Sequence, residues 1–439
     1  MKLIQFGAGN IGRSFIGQVF SRAGWEVVFV DVDQRLVKLL NEKRFYTVAI
    51  KREGRADETR QIGPVRAVNG RDTEAVAADL AGADLAGTSV GKNALPKVLP
   101  VIAKGLAVRF GLEDGHAARH GEFSAGRPLD IIIAENDREA PALFRSVLSA
   151  ELGPELPEGN RPARPDLSLS SPAGFSLETM VGLVETSIGK MVPIMKAADL
   201  AEDPLLLFAE EYETLIVDKL GFRGPLPEIP SLHPVDPIAA YVDRKLFIHN
   251  LGHAASAYLG YAAAAESGEK TVQTIPQALA LPNVEESVRR AMNEAAAALV
   301  LEYPQSQYSG SYSRADLSGH IDDLLFRFKN SALSDTIHRV GRDLRRKLAR
   351  EDRITGAMLL CAKHGLPFGA VAKVYRAALD FAAPAENGAL FPADEEFRSF
   401  YELDNKSAGK PERILREVSG LDVSLPEDVL VIREMTALS

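Results

Sequence analysis

Along roughly the first 140 residues, short apolar runs alternate with stretches whose apolar positions recur every three or four residues. The runs Leu3–Phe6, Glu26–Val30, Ala83–Thr88 and Leu129–Ala134 predict strands, and the stretches Ile11–Ala23, Arg35–Glu42 and Ala94–Lys104 predict helices. Strands alternating with helices imply βαβ units and a parallel sheet. Arg109–Arg127 carries glycines and charges without a sustained apolar period, and Gly153–Ser171 is rich in Pro, Gly and Ser; both predict loops. An apolar stretch at Leu183–Met195 is interrupted at Pro193, and beyond it the pattern changes. Asp236–Ala265, Val284–Glu302 and Ser331–Arg350 show helical spacing with few strand signals. The pattern therefore predicts α/β plus all-α: an α/β domain over 1–192 and a helical domain over 193–439.

Composition narrows the possible roles. A chain of 439 residues suggests two or three domains, and 46% apolar with 25% charged residues is ordinary for a soluble globular protein. A net charge of −9 argues against general nucleic-acid or polyanion binding, yet leaves room for a small phosphorylated substrate held by a local cluster of cations. Cys361 is the only cysteine, which excludes an intrachain disulfide and any multi-cysteine metal site and fits a reducing compartment. The chain enters Lys2–Phe6 and a glycine turn at once, leaving no room for a signal peptide, and no apolar run is long enough to cross a bilayer. The expectation is a cytoplasmic protein that acts on a small molecule and engages neither nucleic acid nor membrane.

The first concentrated chemistry is Phe6-Gly7-Ala8-Gly9-Asn10-Ile11-Gly12, which follows a predicted strand and opens a predicted helix. An acid, Asp31, stands about 20 residues further on, as a dinucleotide site requires. Gly7 would permit the tight turn, Gly9 the approach of backbone to a pyrophosphate, and Gly12 close packing of helix on strand. The helix N-terminus offers free N–H groups and positive potential to the phosphates. Asp31 would accept hydrogen bonds from the adenosine ribose and repel a 2′-phosphate, favouring NAD over NADP, although Arg35 nearby could soften that repulsion. Asp33 is read as the cap of the next helix. Ser89, Val90 and Gly91 end a later strand, where ligands of open α/β sheets gather; they either line the cofactor or form a plain turn. Asn136, just past the run Asp130–Ala134, is either a loop residue or within reach of the reacting carbon.

The second concentration is Lys245-Leu-Phe-Ile-His-Asn250-Leu-Gly-His253. On an α-helix Asn250 would sit about 140° and His253 about 80° around from Lys245, so a base, an amide and an imidazole share one side over roughly 12 Å. That set suits a hydroxyl or carbonyl substrate, and beside a dinucleotide turn it points to a dehydrogenase. His249 and His253 have the spacing of a two-histidine metal pair, but no Glu of the HExxH type stands between them and no cysteine cluster completes a site. No metal is expected. Further on, Ile337, Val340, Leu344 and Leu348 form the core stripe of an amphipathic helix, so most of Arg339, Arg342, Arg345, Arg346, Lys347 and Arg350 should be solvated. Arg342 and Arg346 are the candidates to turn inward and hold a phosphate.

Together the two motifs resemble those of the polyol-specific long-chain dehydrogenases. The matching stretches are Phe6–Arg13, Ile216–Lys219, Asp243–Phe247 through Asn250 with Gly252-His253, Ala257–Gly260, Arg339–Arg342 and Arg346–Leu348, spread in order over nearly the whole chain. The resemblance implies an N-terminal Rossmann-like domain, a C-terminal helical domain and a metal-independent, NAD-linked reaction at the cleft between them. It implies Lys245 as general acid/base, Asn250 as ligand of the reacting oxygen with Asn136 as a second donor, and His253 as the residue that orients the substrate. The substrate pair it favours is mannitol 1-phosphate and fructose 6-phosphate. The alternatives are an unphosphorylated polyol, a hexuronate, or a non-catalytic NAD-binding sensor. Two departures bear on substrate identity: Ile188-Gly189-Lys190 replaces the family's Val-Asp-Arg, making Lys190 a third phosphate candidate, and Asp137-Arg138-Glu139 adds charge after Asn136.

Overall fold

In a computed structural model of the chain, the described residues are 1–112, 127–152, 176–193, 195, 197–269, 271–305, 312–408 and 412–437. The expected loop Gly153–Ser171 and most of Arg109–Arg127 lie outside them. The chain divides into two compact units, 1–238 and 239–439.

The first unit is Rossmann-like. Its strands are β1 (Lys2–Phe6), β2 (Glu26–Asp31), β3 (Tyr46–Ile50), β4 (Glu58–Ile62), β5 (Val65–Asn69), β6 (Leu85–Thr88), β7 (Leu129–Ile133), β8 (Val181–Ser187), β9 (Leu207–Ala209), β10 (Leu215–Asp218) and β11 (Leu232–Val235). Among the described residues eight of them form one sheet in the order β11-β10-β8-β7-β6-β1-β2-β5, parallel except where β10 meets β8. The central strands are apolar at successive positions because both faces are covered. Leu3 and Ile132 enter one core while Ile4, Phe6, Ile131 and Ile133 enter the other, on the opposite face. A small second sheet, β4-β3-β9, pairs β3 antiparallel to β4 and parallel to β9.

All four expected strands and the three expected helices are present, with bounds shifted by a few residues; the helix expected over Ala94–Lys104 runs on to Phe110. The boundary falls later than the 192/193 expected, because the described residues of 193–238 form strands and only two short 3-10 turns, Ala197–Leu200 and Lys219–Gly221, before the helix that begins at Ile238. That segment supplies β9, β10 and β11 to the first unit. These strands are three or four residues long, and β11 carries Pro234, tolerated because β11 is an edge strand. Runs so short leave little period to read.

The second unit is helical. Leu251–Ser267, at its centre, is lined by small residues that let other helices approach closely. A Cβ at Gly252 would strike Met292 of the helix Val284–Glu302, and one at Gly260 would strike Ala278 of Ile275–Ala280. Ser331–Arg350, expected as one helix, is broken into Ser331–Leu333, Ile337–Gly341 and Leu344–Lys347. Its apolar stripe is still buried. The break sits at Asp343, whose φ of 72° is left-handed. The Asp394 carboxylate accepts from the N–H groups of Asp343 (2.9 Å) and Leu344 (2.7 Å), and Lys347 Nζ reaches back to the carbonyls of Val340 (2.7 Å) and Arg342. Lys347 is thus buried rather than solvated.

Candidate active site

In the first unit, the turn after β1 is shaped by its glycines. Gly7 has φ of 89° and donates to Val30 O at 2.8 Å; a Cβ there would lie 2.6 Å from Ser89 O. A Cβ at Gly12 would overlap the Gly7 carbonyl, so glycine alone lets the helix start this close to the strand. Gly9, by contrast, is exposed and faces open space, leaving its backbone approachable. Phe6 and Ala8 are buried, Ile11 packs on the core and Asn10 is exposed.

Asp31 ends β2 beside this turn. Its Oδ2 accepts the Ala8 N–H at 2.8 Å and its Oδ1 the Asp33 N–H at 3.0 Å. Each carboxylate oxygen retains a second lone-pair site, so ribose hydroxyls remain compatible with these bonds. Asp33 Oδ1 accepts from Arg35 N at 2.9 Å and Leu36 N at 3.2 Å, the expected cap. Ser89 packs on the glycine turn and its Oγ accepts from Gln5 Nε2 at 3.0 Å. The Val90 and Gly91 N–H groups are taken: both are held by the Glu135 carboxylate, at 2.9 and 2.8 Å. Glu135 is a residue that motif reasoning missed; its only signal was an acid at the end of the strand paired with β6. Asn136 follows it, exposed, in the bend after β7.

The second unit holds the lysine, and here the local backbone differs from the α-helix expected. Lys245–Asn250 forms a π-helical turn between the α-helices Ile238–Arg244 and Leu251–Ser267. Such a turn closes i→i+5 and is wider than an α-turn, so residues five apart lie closer to one face than the about 140° of an α-helix. The insertion therefore brings Lys245 and Asn250 to one face. Lys245 is part-buried; desolvation first, and then the positive charge of Arg353, push its pKa down to about 8. Asn250 is half-buried, and its side-chain amide makes no hydrogen bond among the described residues.

His253 lies on the following helix, stacked on Phe328 with centroids 4.9 Å apart and planes 15° from parallel. Its Nε2 is 3.3 Å from Oδ2 of Asp335, a buried acid that also pairs with Arg339. The Asp335 backbone is pinned by the Ile275 N–H at 3.0 Å. Asp335 and Arg339 complete the surroundings of His253, and spacing alone did not connect Asp335 to it. His249 is fully enclosed. Desolvation, then the charges of Arg327, His253, His320 and Lys245, hold its pKa well below the usual histidine value, so it stays neutral. Among the described residues no group of three His, Cys, Asp or Glu side chains could hold a metal ion.

The three phosphate candidates fare differently. Lys190, in the first unit, is buried: its Nζ donates to Tyr212 O at 2.7 Å and lies 5.3 Å from the centroid of Phe15. The Lys190 ammonium is thus engaged inside the first unit. Arg346 is paired with Asp343 at 2.5 Å and Asp352 at 3.2 Å. Arg342 is exposed, stacked 5.3 Å from the Phe391 centroid, and its guanidinium has no carboxylate partner among the described residues.

Residues 1–231 match the family model described as the mannitol dehydrogenase Rossmann domain, and residues 237–438 the mannitol dehydrogenase C-terminal domain. The chain belongs to the mannitol dehydrogenase family. Within that family, it is 33% identical over 424 residues to a mannitol-1-phosphate 5-dehydrogenase of Brevibacillus brevis, covering 95% of this chain and 97% of the relative. It is 31% identical over 436 residues to a Bacillus subtilis protein of the same name, covering 99% and 100%. Two solved structures share the fold at low identity. A D-sorbitol dehydrogenase in substrate-free form gives a TM-score of 0.73 at 16% identity, covering 99% of this chain and 92% of that one. The Pseudomonas fluorescens mannitol 2-dehydrogenase ternary complex with NAD and D-mannitol gives 0.66 at 15%, covering 100% and 90%. The expected Rossmann-like and helical architecture is borne out.

Proposed function

We propose that this member of the mannitol dehydrogenase family is an NAD-dependent oxidoreductase that interconverts mannitol 1-phosphate and fructose 6-phosphate. The observation that carries the chemistry is the widened turn that puts Lys245 and Asn250 on one face, with the lysine pKa lowered to about 8. The substrate follows from two relatives that bear the activity's name and match over nearly their whole length.

The first unit fits NAD: an open Gly9, a left-handed Gly7, a close-packed Gly12 and a carboxylate at the end of β2. NAD held there would supply the hydride acceptor for the alcohol carbon, and NADH the hydride donor for the ketone. In the oxidation, neutral Lys245 takes the proton of the substrate hydroxyl, while the Asn250 amide donates to the oxygen where negative charge develops. In the reduction, protonated Lys245 returns that proton. His253, fixed by Asp335 and the Phe328 ring, orients the neighbouring hydroxyls. The phosphate is assigned to Arg342, whose guanidinium has no carboxylate partner among the described residues.

Among the described residues no helix is long and apolar enough to cross a membrane. The proposed compartment, on the ground of a lone cysteine in the chain, is the reducing cytoplasm. The test is formation of NADH from mannitol 1-phosphate with the chelated, purified protein. NAD binding without turnover of any polyol or ketose in a broad panel favours the sensor reading instead.

A further inference from the structure

Arg13 follows the last glycine of the dinucleotide turn, and its side chain doubles back beneath that turn. Its Nε donates to Ala8 O at 2.6 Å and its Nη1 to Leu205 O at 3.2 Å, while its guanidinium carbon lies 6.0 Å from the centroid of Tyr46. Its own backbone is tied as well: Arg13 N donates to Gly9 O at 3.0 Å, and the Tyr46 hydroxyl donates to Arg13 O at 2.6 Å. Tyr46 belongs to β3, and Leu205 lies just before β9. Strand β3 and the segment leading into β9 thus anchor one arginine.

The arginine is 8% exposed, and among the described residues no carboxylate contacts its guanidinium. Desolvation, the largest cause, lowers its pKa, offset in part by Tyr46, Asp31 and Asp203. A nearly buried cation without a contacting counter-ion is costly unless its position is used. The use is visible in the peptide it grips. The Ala8–Gly9 peptide is trans, so its carbonyl and N–H point in opposite directions. Arg13 holds the carbonyl inward; the Gly9 N–H must then face the open side, where no hydrogen-bond acceptor of the described residues meets it. The Asp31 carboxylate fixes the next peptide back through the Ala8 N–H.

We infer that Arg13 is a positioning residue for cofactor binding: it locks the Ala8–Gly9 peptide so that the Gly9 N–H is presented to a diphosphate, and it adds positive charge beneath that site. This rests on the NAD reading above and assigns β3 and the segment leading into β9 a role in it. A diphosphate at a helix N-terminus is held by oriented backbone donors, so misorienting one of them acts on the diphosphate and not on the adenosine.

The experiment is calorimetric titration of the native protein and Arg13→Met with NAD, ADP-ribose and adenosine, with thermal melting alongside. Methionine keeps an apolar stem and removes the donors and the charge. Charged hydrogen bonds of this kind predict a Kd for NAD and for ADP-ribose raised about ten- to a hundredfold. The Kd for adenosine should change by less than about twofold, and kcat at saturating NAD should hold. Equal weakening of adenosine and ADP-ribose overturns the inference, because a plain structural staple would act that way. Unchanged affinity for all three also overturns it. If Arg13→Met does not fold, Arg13→Lys decides: charge is kept but the two-point fork is lost, so ADP-ribose should weaken selectively. Absence of NAD binding by the native protein removes the cofactor reading and this inference together.

Discussion

Replacing Lys245 by Ala removes the proposed acid/base and leaves the first unit untouched. The structure also sets the pH at which the native lysine works. With a pKa of about 8, about one lysine in ten is neutral at pH 7; at the ordinary value of 10.5 it would be about one in three thousand. Enclosure therefore raises the population of competent base by roughly three-hundredfold at neutral pH. The sign follows from the direction of reaction. Oxidation needs the neutral amine, so its rate should climb about tenfold per unit below pH 8 and level off above it. Reduction needs the ammonium, so its rate should hold below about pH 8 and fall above it. NADH absorbance read in both directions between about pH 6 and pH 10 tests this, provided the variant is measured beside the native protein. Lys245→Ala should lose about two to four orders of magnitude in turnover, lose the inflection near 8, and bind NAD as before. A variant with near-normal turnover on the true substrate, or one that keeps the same inflection, refutes the role of the lysine.

Two further outcomes follow from the geometry. Asp31→Ala should narrow the preference for NAD over NADP and also weaken NAD itself, since the same carboxylate holds the Ala8 N–H; titration with both cofactors checks it, and a native protein that uses them equally contradicts it. Asp335→Asn removes the charge that faces His253 and Arg339, so the Michaelis constant for the sugar should rise by about tenfold while the Kd for NAD stays fixed; steady-state kinetics with parallel cofactor titration checks it, and an unchanged Michaelis constant and turnover contradict it.

Much of this arrangement was legible in the sequence, for reasons that differ by residue. β1, β2, β6 and β7 are apolar through both faces and bounded by turn residues, so their runs stand out. Gly7, Gly9, Gly12 and Asp31 are recognisable because the spacing of the turn is itself the physical requirement. β4, by contrast, reads Glu-Thr-Arg-Gln-Ile with its polar residues partly exposed, and β9 is three residues long; neither gives a period to detect. The widened turn at Lys245 was invisible because an inserted residue changes backbone hydrogen bonding without changing the apolar pattern. Glu135 and Asp335 escaped for a third reason. Each acts through a partner 45 or more positions away, Val90 in one case and His253 in the other, and no local spacing encodes such a contact. The basic run showed its charges but not their pairing: only the folded turn at Asp343 separates the neutralised Arg346 from the unpaired Arg342.

Hydride transfer between NAD and a phosphorylated sugar is read out by NADH oxidation with fructose 6-phosphate, fructose and a hexuronate side by side. Charged hydrogen bonds to one group contribute about 1.5–3 kcal/mol each, so a phosphate held by two of them predicts a kcat/KM for fructose 6-phosphate roughly a hundredfold or more above that for fructose. The hexuronate should be a poor substrate. Equal rates on fructose and its phosphate contradict the phosphate site, and oxidation of NADH by none of the three contradicts the account as a whole.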